Sequence, residues 1–459
     1  MSPHDATGAP SRDPLVAAAS EVIGGPLGRY AQIRTVPRGG TSPRSGLRVL
    51  PWAPIAGILT VAATLLLAGG LVQKRHCLEN GWGAPGVFWK SCYSDLPSAT
   101  GEALAGQPMG TALLLRLIDL LTPVGPSFSH EQGMYLGWAL TAALLLVALV
   151  VLTTLTCRSA PWNAAHVALS PLIILVVLVA PDLWGVTLTS VALWLWSRDH
   201  PVSAGVLMGA AIAARTYPVL ILVVIGLLAA RAGVAGRWAV MAGWALISGT
   251  VISLAGALLL HLDPTGAYRL WVAGEAGLGS MWYLATLGER PLQIGILTVL
   301  TALGWVLALA VGVALTFSAR HRPTVAEVSL VVLAIVLVTG KSFPVQASLW
   351  LLPLVALAGL RWRDHLVWVT TEGMYFVVLW LYLGGRDQAQ PSMSGAWFGL
   401  FLLLRILGVL WLAFAAARAA LERPARAKGR LRVSAEADEP DEVAGPMTGE
   451  PDAIVVSYR

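Results

Sequence analysis

A chain of 459 residues, of which 56% are hydrophobic and 12% charged, is too apolar to fold as a water-soluble globule. The net charge of +6 does not indicate nucleic-acid binding, because most of the cations flank apolar segments, as topology signals do. Three cysteines are too few for a disulfide scaffold, and the sequence has no CxxC motif or histidine cluster that would indicate zinc. We therefore expect no metal and no cofactor.

The apolar residues form repeated runs whose lengths match all or half of a bilayer core, which a helix crosses with about 20 residues. Because lipid offers no partners to backbone polar groups, segments that cross it form helices. We predict an all-α polytopic membrane protein with about 12 transmembrane helices in residues 50–420. The predicted segments are 50–72, 133–157, 163–180, 183–197, 201–214, 217–231, 238–260, 291–317, 325–340, 346–360, 365–384 and 396–418.

Both ends of the chain are predicted to be disordered and cytoplasmic. Residues 1–49 are rich in arginine, proline and glycine and contain few large apolar residues. The first apolar run begins behind this basic arm, so it is expected to remain as a first span and not to be cleaved as a signal peptide. Residues 421–459 are first basic and then acidic, and their basic half suits the anionic inner leaflet.

Cations between the apolar segments predict the orientation of the chain. Cytoplasmic connections of membrane proteins carry an excess of lysine and arginine. When the segments alternate from a cytoplasmic N-terminus, the arginine-rich connections all fall on the inside. They hold Arg158, Arg198, Arg231, Arg237, Arg320, Arg322, Arg361 and Arg363. The first connection, 73–132, is then a large extracytoplasmic loop.

This first extracytoplasmic loop contains the main candidate for catalysis. Asp95, in the motif CYSDLP at 92–97, is placed to act as a general base toward a sugar or lipid hydroxyl, although a loop aspartate more often caps a helix or is solvated. Cys77 and Cys92 lie on the oxidising side of the membrane, where they form a disulfide or remain two free thiols. Residues 110–121 are predicted to form an amphipathic helix at the outer interface.

Four further charged residues lie at or within the predicted membrane. Arg215 and Lys341 lie near prolines in the turns of two short outward hairpins, where a phosphate group is their natural partner and snorkelling to the interface is the alternative. Glu372 and Arg405 lie at similar depth in the last two spans. Because an isolated charge is costly there, we predict that they form a structural ion pair, with a proton relay as the alternative.

Several segments together resemble the actinobacterial members of glycosyltransferase family 87, of the GT-C superfamily. They are similar to the polyprenol-phosphate-mannose-dependent α-1,2-mannosyltransferases of that family. The resemblance covers roughly residues 50–420. It is carried by CYSDLP at 92–97, PDL at 181–183, AGVLMGAAIAARTYP at 204–218, GSMWYL at 279–284, KSFPVQASLWLLPL at 341–354 and WVTTEGMYFVVLWLY at 368–382.

The resemblance implies an inverting sugar transfer, with mannose the expected sugar, from a polyprenyl-phosphate donor to a lipid or glycan acceptor. The reaction takes place at the outer face of the plasma membrane. The family's catalytic aspartate lies in the first outer loop and matches Asp95, and its basic residue before Tyr-Pro matches Arg215. Arg215 and Lys341 are the residues we expect to hold the donor phosphate. Residues expected to line the substrate site are Tyr93, Ser94, Asp182, Tyr217, Ser280, Trp282, Tyr283 and Gln346.

Two alternatives to this enzyme remain open. A transporter or flippase of a lipid or polar solute also has many spans and intramembrane charges, although such proteins commonly show two similar halves. A catalytically inactive relative that serves envelope assembly is the other alternative. It is kept open because relatives often carry Glu-Tyr-Pro where this chain has GQP at 106–108, and because residues 344–347 also differ.

Overall fold

The computed structural model of the chain describes residues 52–83, 86–122, 129–387, 393–422 and 441–455. In these residues every regular element is helical, so the chain is an all-α protein. In chain order the α-helices are α1 (Trp52–Gln73), α2 (Arg75–Asn80), α3 (Met109–Leu121), α4 (His130–Thr156), α5 (Ala165–Ala168), α6 (Leu172–Val176), α7 (Asp182–Ser197), α8 (Pro201–Ala214), α9 (Pro218–Arg231), α10 (Ala235–Leu260), α11 (Gly266–Ala273), α12 (Tyr283–Leu287), α13 (Ile294–Ser318), α14 (Val325–Thr339), α15 (Ser348–Leu357), α16 (Trp362–Asp387) and α17 (Gly395–Glu422).

Six of the described helices, α1, α4, α10, α13, α16 and α17, are long and apolar enough to cross a bilayer. Helices α8, α9 and α14 are apolar but have 14, 14 and 15 residues. The most exposed long helix is α10, with Leu246, Leu258 and Leu259 each more than 70% exposed. Such a surface is stable beside lipid and unfavourable beside water. The fold is therefore that of a membrane-associated helical protein.

The ends of the helices follow from local sequence. Helix α4 begins with a capping box, in which the Ser129 hydroxyl accepts the backbone N–H of Gln132 and the Gln132 side chain accepts that of Ser129. Thr324 and Glu327 form the same arrangement at the start of α14. Helices α8 and α9 each begin with a proline, whose missing N–H has no partner in a first turn anyway.

The predicted span at 163–180 is not one continuous helix, which corrects the sequence interpretation. It is divided into a 3-10 turn, α5 and α6. The break lies at Ser170, because Pro171 has no N–H to donate and disfavours helical backbone at the residue before it. Val177 and Leu178 are fully buried, so the irregular backbone at this point is enclosed by protein.

Helices α8 and α10 pack closely against each other, and two glycines allow it. A Cβ at Gly205 would lie 2.4 Å from the carbonyl oxygen of Met241, and a Cβ at Gly209 would lie 2.3 Å from that of Ala245. Small residues at such positions let two backbones approach within a bilayer. Helix α3 is fixed to the end of α8, because the Thr111 hydroxyl donates to the Ala214 carbonyl at 2.7 Å.

The C-terminal segment (441–455) packs against the helix ends that lie far from the first loop. The Asp452 carboxylate accepts from Arg231 Nη2 at 2.7 Å and from Arg322 Nε at 2.8 Å. Arg322 Nη1 also donates to the carbonyl oxygen of Met447, whose side chain is buried. The segment therefore connects the end of α9 to the connection between α13 and α14.

The prediction of a disordered tail over 421–459 is therefore wrong for this C-terminal segment. An acidic tail is typical of solvated chain, but here two arginines from distant helix ends form salt bridges with the carboxylate of Asp452. Residues 423–440 and 456–459, like the predicted basic arm at 1–49, lie outside the described residues. The helix expected at 110–121 is present as α3, and its placement at a membrane interface stays a prediction.

Candidate functional site

The segment that carries Asp95 has no regular secondary structure and is held by residues at the end of α1. The Gln73 side chain donates to the Ser91 carbonyl, and Lys74 Nζ donates to the Tyr93 carbonyl at 2.8 Å. A disulfide joins Cys77 to Cys92, so of the two states left open by the sequence the structure has the disulfide. On the other side, the Asp95 N–H donates to the Val179 carbonyl at 3.0 Å. These bonds fix where the Asp95 side chain points.

Asp95 faces a cavity of about 320 Å³. The cavity lies between the first-loop segment, the turn after α14 and one face of α16. In the part of the chain that the structure describes, Asp95 is the one carboxylate in its lining, and the lining contains no lysine or arginine. The lining residues are Phe88, Tyr93, Asp95, Val179, Leu278, Gly279, Ser342, Pro344, Val345, Gln346, Tyr375, Leu379, Trp380 and Leu383.

The Asp95 carboxylate is half-buried, and one of its oxygens is free. The Tyr93 hydroxyl donates to Asp95 Oδ1 at 2.5 Å, whereas Oδ2 accepts no hydrogen bond from any described residue. Burial raises the pKa of Asp95 above its ordinary range, and the charge of Asp182 adds to that rise. The hydrogen bond from Tyr93 and the charges of Arg215 and Lys74 reduce the rise without cancelling it. Asp95 is thus a stronger base than an exposed aspartate.

Aromatic rings form one side of the cavity. Phe88 is stacked on Tyr93 with ring centroids 5.6 Å apart, and Trp380 lies 5.1 Å from Tyr93 and 6.1 Å from Phe88. Flat apolar rings beside a few polar groups favour ligands that present C–H faces and hydroxyls. Gln346 and Ser342 add polar groups to the lining of the cavity.

Arg215 and Asp182 form a second polar cluster behind Asp95. Arg215 Nε and Nη2 donate to the two oxygens of Asp182, both at 3.0 Å, and Trp350 Nε1 donates to the same carboxylate at 2.8 Å. Arg215 Nη1 donates to the Gln107 side chain at 3.1 Å. Tyr217 is stacked on Trp350 at 4.7 Å. One Nη2 hydrogen of Arg215 has no partner among the described residues.

Lys341, expected to bind phosphate, is directed elsewhere in the structure. Its ammonium donates to the Val272 carbonyl at 2.7 Å and lies 5.3 Å from the ring of Trp271. These are groups at the end of α11, where a cation interacts favourably with the last carbonyls of the helix. Lys341 is buried and does not line the cavity, so its contacts are structural.

Glu372 and Arg405 form the ion pair that their depth predicted, with Arg405 Nε 2.9 Å from Glu372 Oε2. The guanidinium does more than pair. It donates to the carbonyl oxygens of Phe343 and Pro344 at 2.6 and 3.0 Å, and it lies over the Phe343 ring at 3.6 Å. Gly279 packs at the same point, because a Cβ there would lie 1.8 Å from the Phe343 carbonyl oxygen. The pair therefore shapes the cavity lining at Pro344.

Of the residues expected to line a substrate site, Tyr93 and Gln346 line the cavity with Asp95. Ser94 is buried and bonds the Val179 carbonyl. Ser280 and Trp282 donate to the carbonyls of residues 340 and 339 at 2.7 and 2.9 Å, which fixes the GSMWYL segment to the end of α14. The hydroxyl of Tyr283 lies 3.5 Å from that of Tyr382, and neither residue is among those that line the cavity. Asp182 and Tyr217 belong to the Arg215 cluster.

The structure also brings in residues that sequence reasoning missed. Tyr375, Leu379 and Leu383 recur every four residues, so they share one face of α16, and that spacing is a signal that the sequence contains. No local signal marks Phe88. Gln107 in the GQP segment contacts Arg215, and its role follows only from the packing of distant segments.

No group of three or more histidine, cysteine, aspartate or glutamate side chains that could hold a metal ion occurs in the described ranges. No protein-family model matches the chain, and no curated protein matches it significantly.

Proposed function

We propose that the protein is an integral-membrane glycosyltransferase that moves a sugar from a polyprenyl-phosphate donor to a lipid or glycan acceptor. Mannose is the sugar favoured by the family resemblance. The observation that supports the proposal best is that Asp95, whose Oδ2 accepts no hydrogen bond from the described residues, lines a cavity together with aromatic rings. The proposal includes the finer topology, with about 12 spans, cytoplasmic termini and an outward site in the plasma membrane.

In this proposal Asp95 is the general base of a single displacement. Its free oxygen takes the proton of an acceptor hydroxyl while that hydroxyl oxygen forms a bond to the anomeric carbon of the donor sugar. The bond between the anomeric carbon and the phosphate oxygen breaks, and the polyprenyl phosphate leaves with the electron pair. One attack from the opposite face inverts the anomeric centre. The raised pKa of Asp95 favours proton transfer from a weakly acidic hydroxyl.

Arg215 is the proposed partner of the departing phosphate. Its charge acts on Asp95, so it lies within electrostatic reach of the base, and one N–H on Nη2 remains for a phosphate oxygen. A preorganised cation stabilises charge that grows in a transition state. Lys341 is left out of the proposed phosphate site, because its ammonium is bonded to the carbonyl of Val272.

A sugar-transfer assay in membranes tests the proposal. Membranes containing the wild-type chain are incubated with a radiolabelled polyprenyl-phosphate mannose and envelope glycolipids. A product longer by one sugar, with inverted anomeric configuration, is expected from wild type and not from Asp95→Asn at equal protein level. Equal product from both chains would reject Asp95 as the base. Uptake or flipping of the donor without transfer would favour a transporter.

A second candidate is a protein that binds the sugar lipid without turning it over, as an inactive envelope-assembly relative would. The observation that favours it is the engagement of the cations: Arg215 is paired with Asp182, and Lys341 and Arg405 are bonded to backbone carbonyls. Saturable binding of the donor by wild type, with no product from any acceptor, would support this candidate.

A further inference from the structure

Lys74, directly after α1, is a fully buried lysine. Its ammonium makes one side-chain hydrogen bond among the described residues, to the Tyr93 carbonyl at 2.8 Å, and forms no salt bridge there. Lysines are almost never fully buried unless they are paired, because taking an ammonium out of water is costly. One hydrogen bond to a carbonyl offsets only a small part of the cost of removing the ammonium from water. We therefore expect a second group to stabilise this charge.

The ionised partner within reach is Asp95. The carboxylate lies two residues beyond the carbonyl that Lys74 holds, and the two side chains attract each other electrostatically. The neighbouring cation Arg75, in α2, does not act on Asp95, because it is exposed and pairs with Glu79. His76 contacts Asn80.

From the elements packed around Asp95, the other groups that act on it are Tyr93 of its own segment, Asp182 of α7 and Arg215 at the end of α8. Arg215 is already paired with Asp182, so much of its charge is compensated by that carboxylate. Lys74 is therefore the cation near Asp95 that has no carboxylate of its own in the described residues.

We propose that Lys74 is a positioning residue for the general base, which orients the segment at 93–95 through the Tyr93 carbonyl and keeps the Asp95 carboxylate ionised through its positive charge. The inference rests on the proposed sugar transfer. A buried cation with this role acts only where it is itself protonated. Burial lowers the pKa of Lys74 to about 7, and the attraction of Asp95 limits the decrease, so the ammonium is mainly charged on the acid side of that pH.

Three substitutions separate the hydrogen bond from the charge. Lys74→Met removes both, Lys74→Gln keeps a donor for the Tyr93 carbonyl without the charge, and Lys74→Arg keeps both. Loss of the charge raises the pKa of Asp95, so the acid limb of the rate against pH moves to higher pH. In the Met and Gln variants we expect transfer on the acid side to fall about three- to ten-fold, with the plateau at higher pH closer to wild type. Lys74→Arg is expected to keep the wild-type limb.

The decisive comparison is between Lys74→Gln and wild type. This comparison remains valid even if the arginine of Lys74→Arg is too large for the site. An unchanged acid limb in Lys74→Gln overturns the role of the charge. A purely structural lysine would lower the rate equally at all pH values, and that result also overturns the proposal.

A second readout keeps this inference distinguishable from the proposed function. The carboxyl infrared band that is present in wild type and absent from Asp95→Asn is followed against pH, without any substrate. Its midpoint is expected to rise in Lys74→Gln and Lys74→Met even if no sugar transfer is found. An unchanged midpoint overturns the inference whatever the activity, whereas a shifted midpoint without wild-type transfer rejects the proposed function alone.

Discussion

Asp95 and Asp452 are two partly buried aspartates at different ends of the fold, and their surroundings act on them in opposite directions. Burial by itself would raise the pKa of Asp452, but hydrogen bonds and charges from Arg231 and Arg322 outweigh it and lower that pKa. Asp95 receives one side-chain hydrogen bond, from Tyr93, and burial keeps its pKa raised. A carboxylate held by two arginines serves as a link between helix ends, whereas a basic one facing a cavity is suited to accept a proton.

The largest expected effect comes from Asp95→Asn. A general base contributes about 10²- to 10⁴-fold to a rate, so transfer should fall by that factor. The melting temperature should rise at neutral pH, because the folded state there holds a carboxylate whose pKa is raised. Such a group stabilises the fold below the unfolded pKa and loses that contribution as pH rises through the folded pKa. Transfer rates and thermal unfolding at acidic and neutral pH measure both effects.

Asp95→Glu, which keeps a carboxylate with one more methylene group, is the matched control for the charge. If Asp95→Asn instead lowers the melting temperature and leaves transfer intact, Asp95 is a structural carboxylate like Asp452, and the contrast between the two ends disappears.

Replacing both Cys77 and Cys92 by serine should give the next largest effect, on stability. The bridge closes a separation of 15 residues, for which loop-closure entropy predicts a loss of about 3 kcal/mol. Transfer should fall as well, because the bridge holds the Asp95 segment to the residues after α1. Chemical denaturation measures the loss. Cys157→Ala, at a buried free cysteine, is the control, and equal unfolding of wild type and the double variant would contradict the prediction.

Gly279→Ala tests whether the cavity lining is rigid. The new Cβ would lie 1.8 Å from the Phe343 carbonyl oxygen and 2.5 Å from Arg405 Nη1, so the backbone has to shift. Overpacking of this kind costs about 1–3 kcal/mol, and we expect a lower melting temperature with weaker donor binding. Gly295→Ala in α13 is the control, since a Cβ there meets nothing within 4 Å. Identical melting temperatures for both variants would show that the cavity lining adjusts to the added methyl group without loss of stability.

Asp452→Asn should have the smallest effect, about 1 kcal/mol of stability, because Asp452 is partly exposed and solvent screens the pair. Sugar transfer by the folded protein should be unchanged. Because the pKa of Asp452 is lowered in the fold, its contribution is present above the ordinary carboxyl pKa of about 3.9 and is lost as pH falls through the folded value.

The difference in melting temperature between wild type and Asp452→Asn should therefore shrink on acidification. Asp199→Asn is the control, since its pair with Arg237 spans 3.5 Å and both side chains are more than half exposed. A strong loss of transfer in Asp452→Asn would mean that the C-terminal segment acts on the site.

Local sequence was enough to predict those features that depend on local chemistry. Long apolar runs became α1, α4, α10, α13, α16 and α17, because exposing such runs to water is unfavourable, and in lipid a helix satisfies its own backbone hydrogen bonds whatever its neighbours are. The pairing of Glu372 with Arg405 was also predictable, since an isolated charge at that depth has no alternative to a nearby opposite charge.

The oxygens that the other cations contact were not predictable. Arg215 lies 33 residues from Asp182, and Arg231 lies 221 residues from Asp452. Lys341 is bonded to a carbonyl 69 residues away. In each case several oxygens would satisfy the cation equally well, and helix packing decides which one is near. The sequence therefore marked Arg215 and Lys341 as unusual cations but did not reveal which protein oxygens they contact.

By itself, the sequence determined that this is a helical membrane-associated protein whose first polar loop carries an aspartate beside a cysteine pair. Hydropathy and residue type are properties of single positions, so no packing was needed to read them. Only the tertiary structure decided that Asp95 keeps a free oxygen in a cavity while Asp182 and Asp452 are held by arginines. Whether a carboxylate is a base or a link depends on what surrounds it, and its surroundings come from distant parts of the chain.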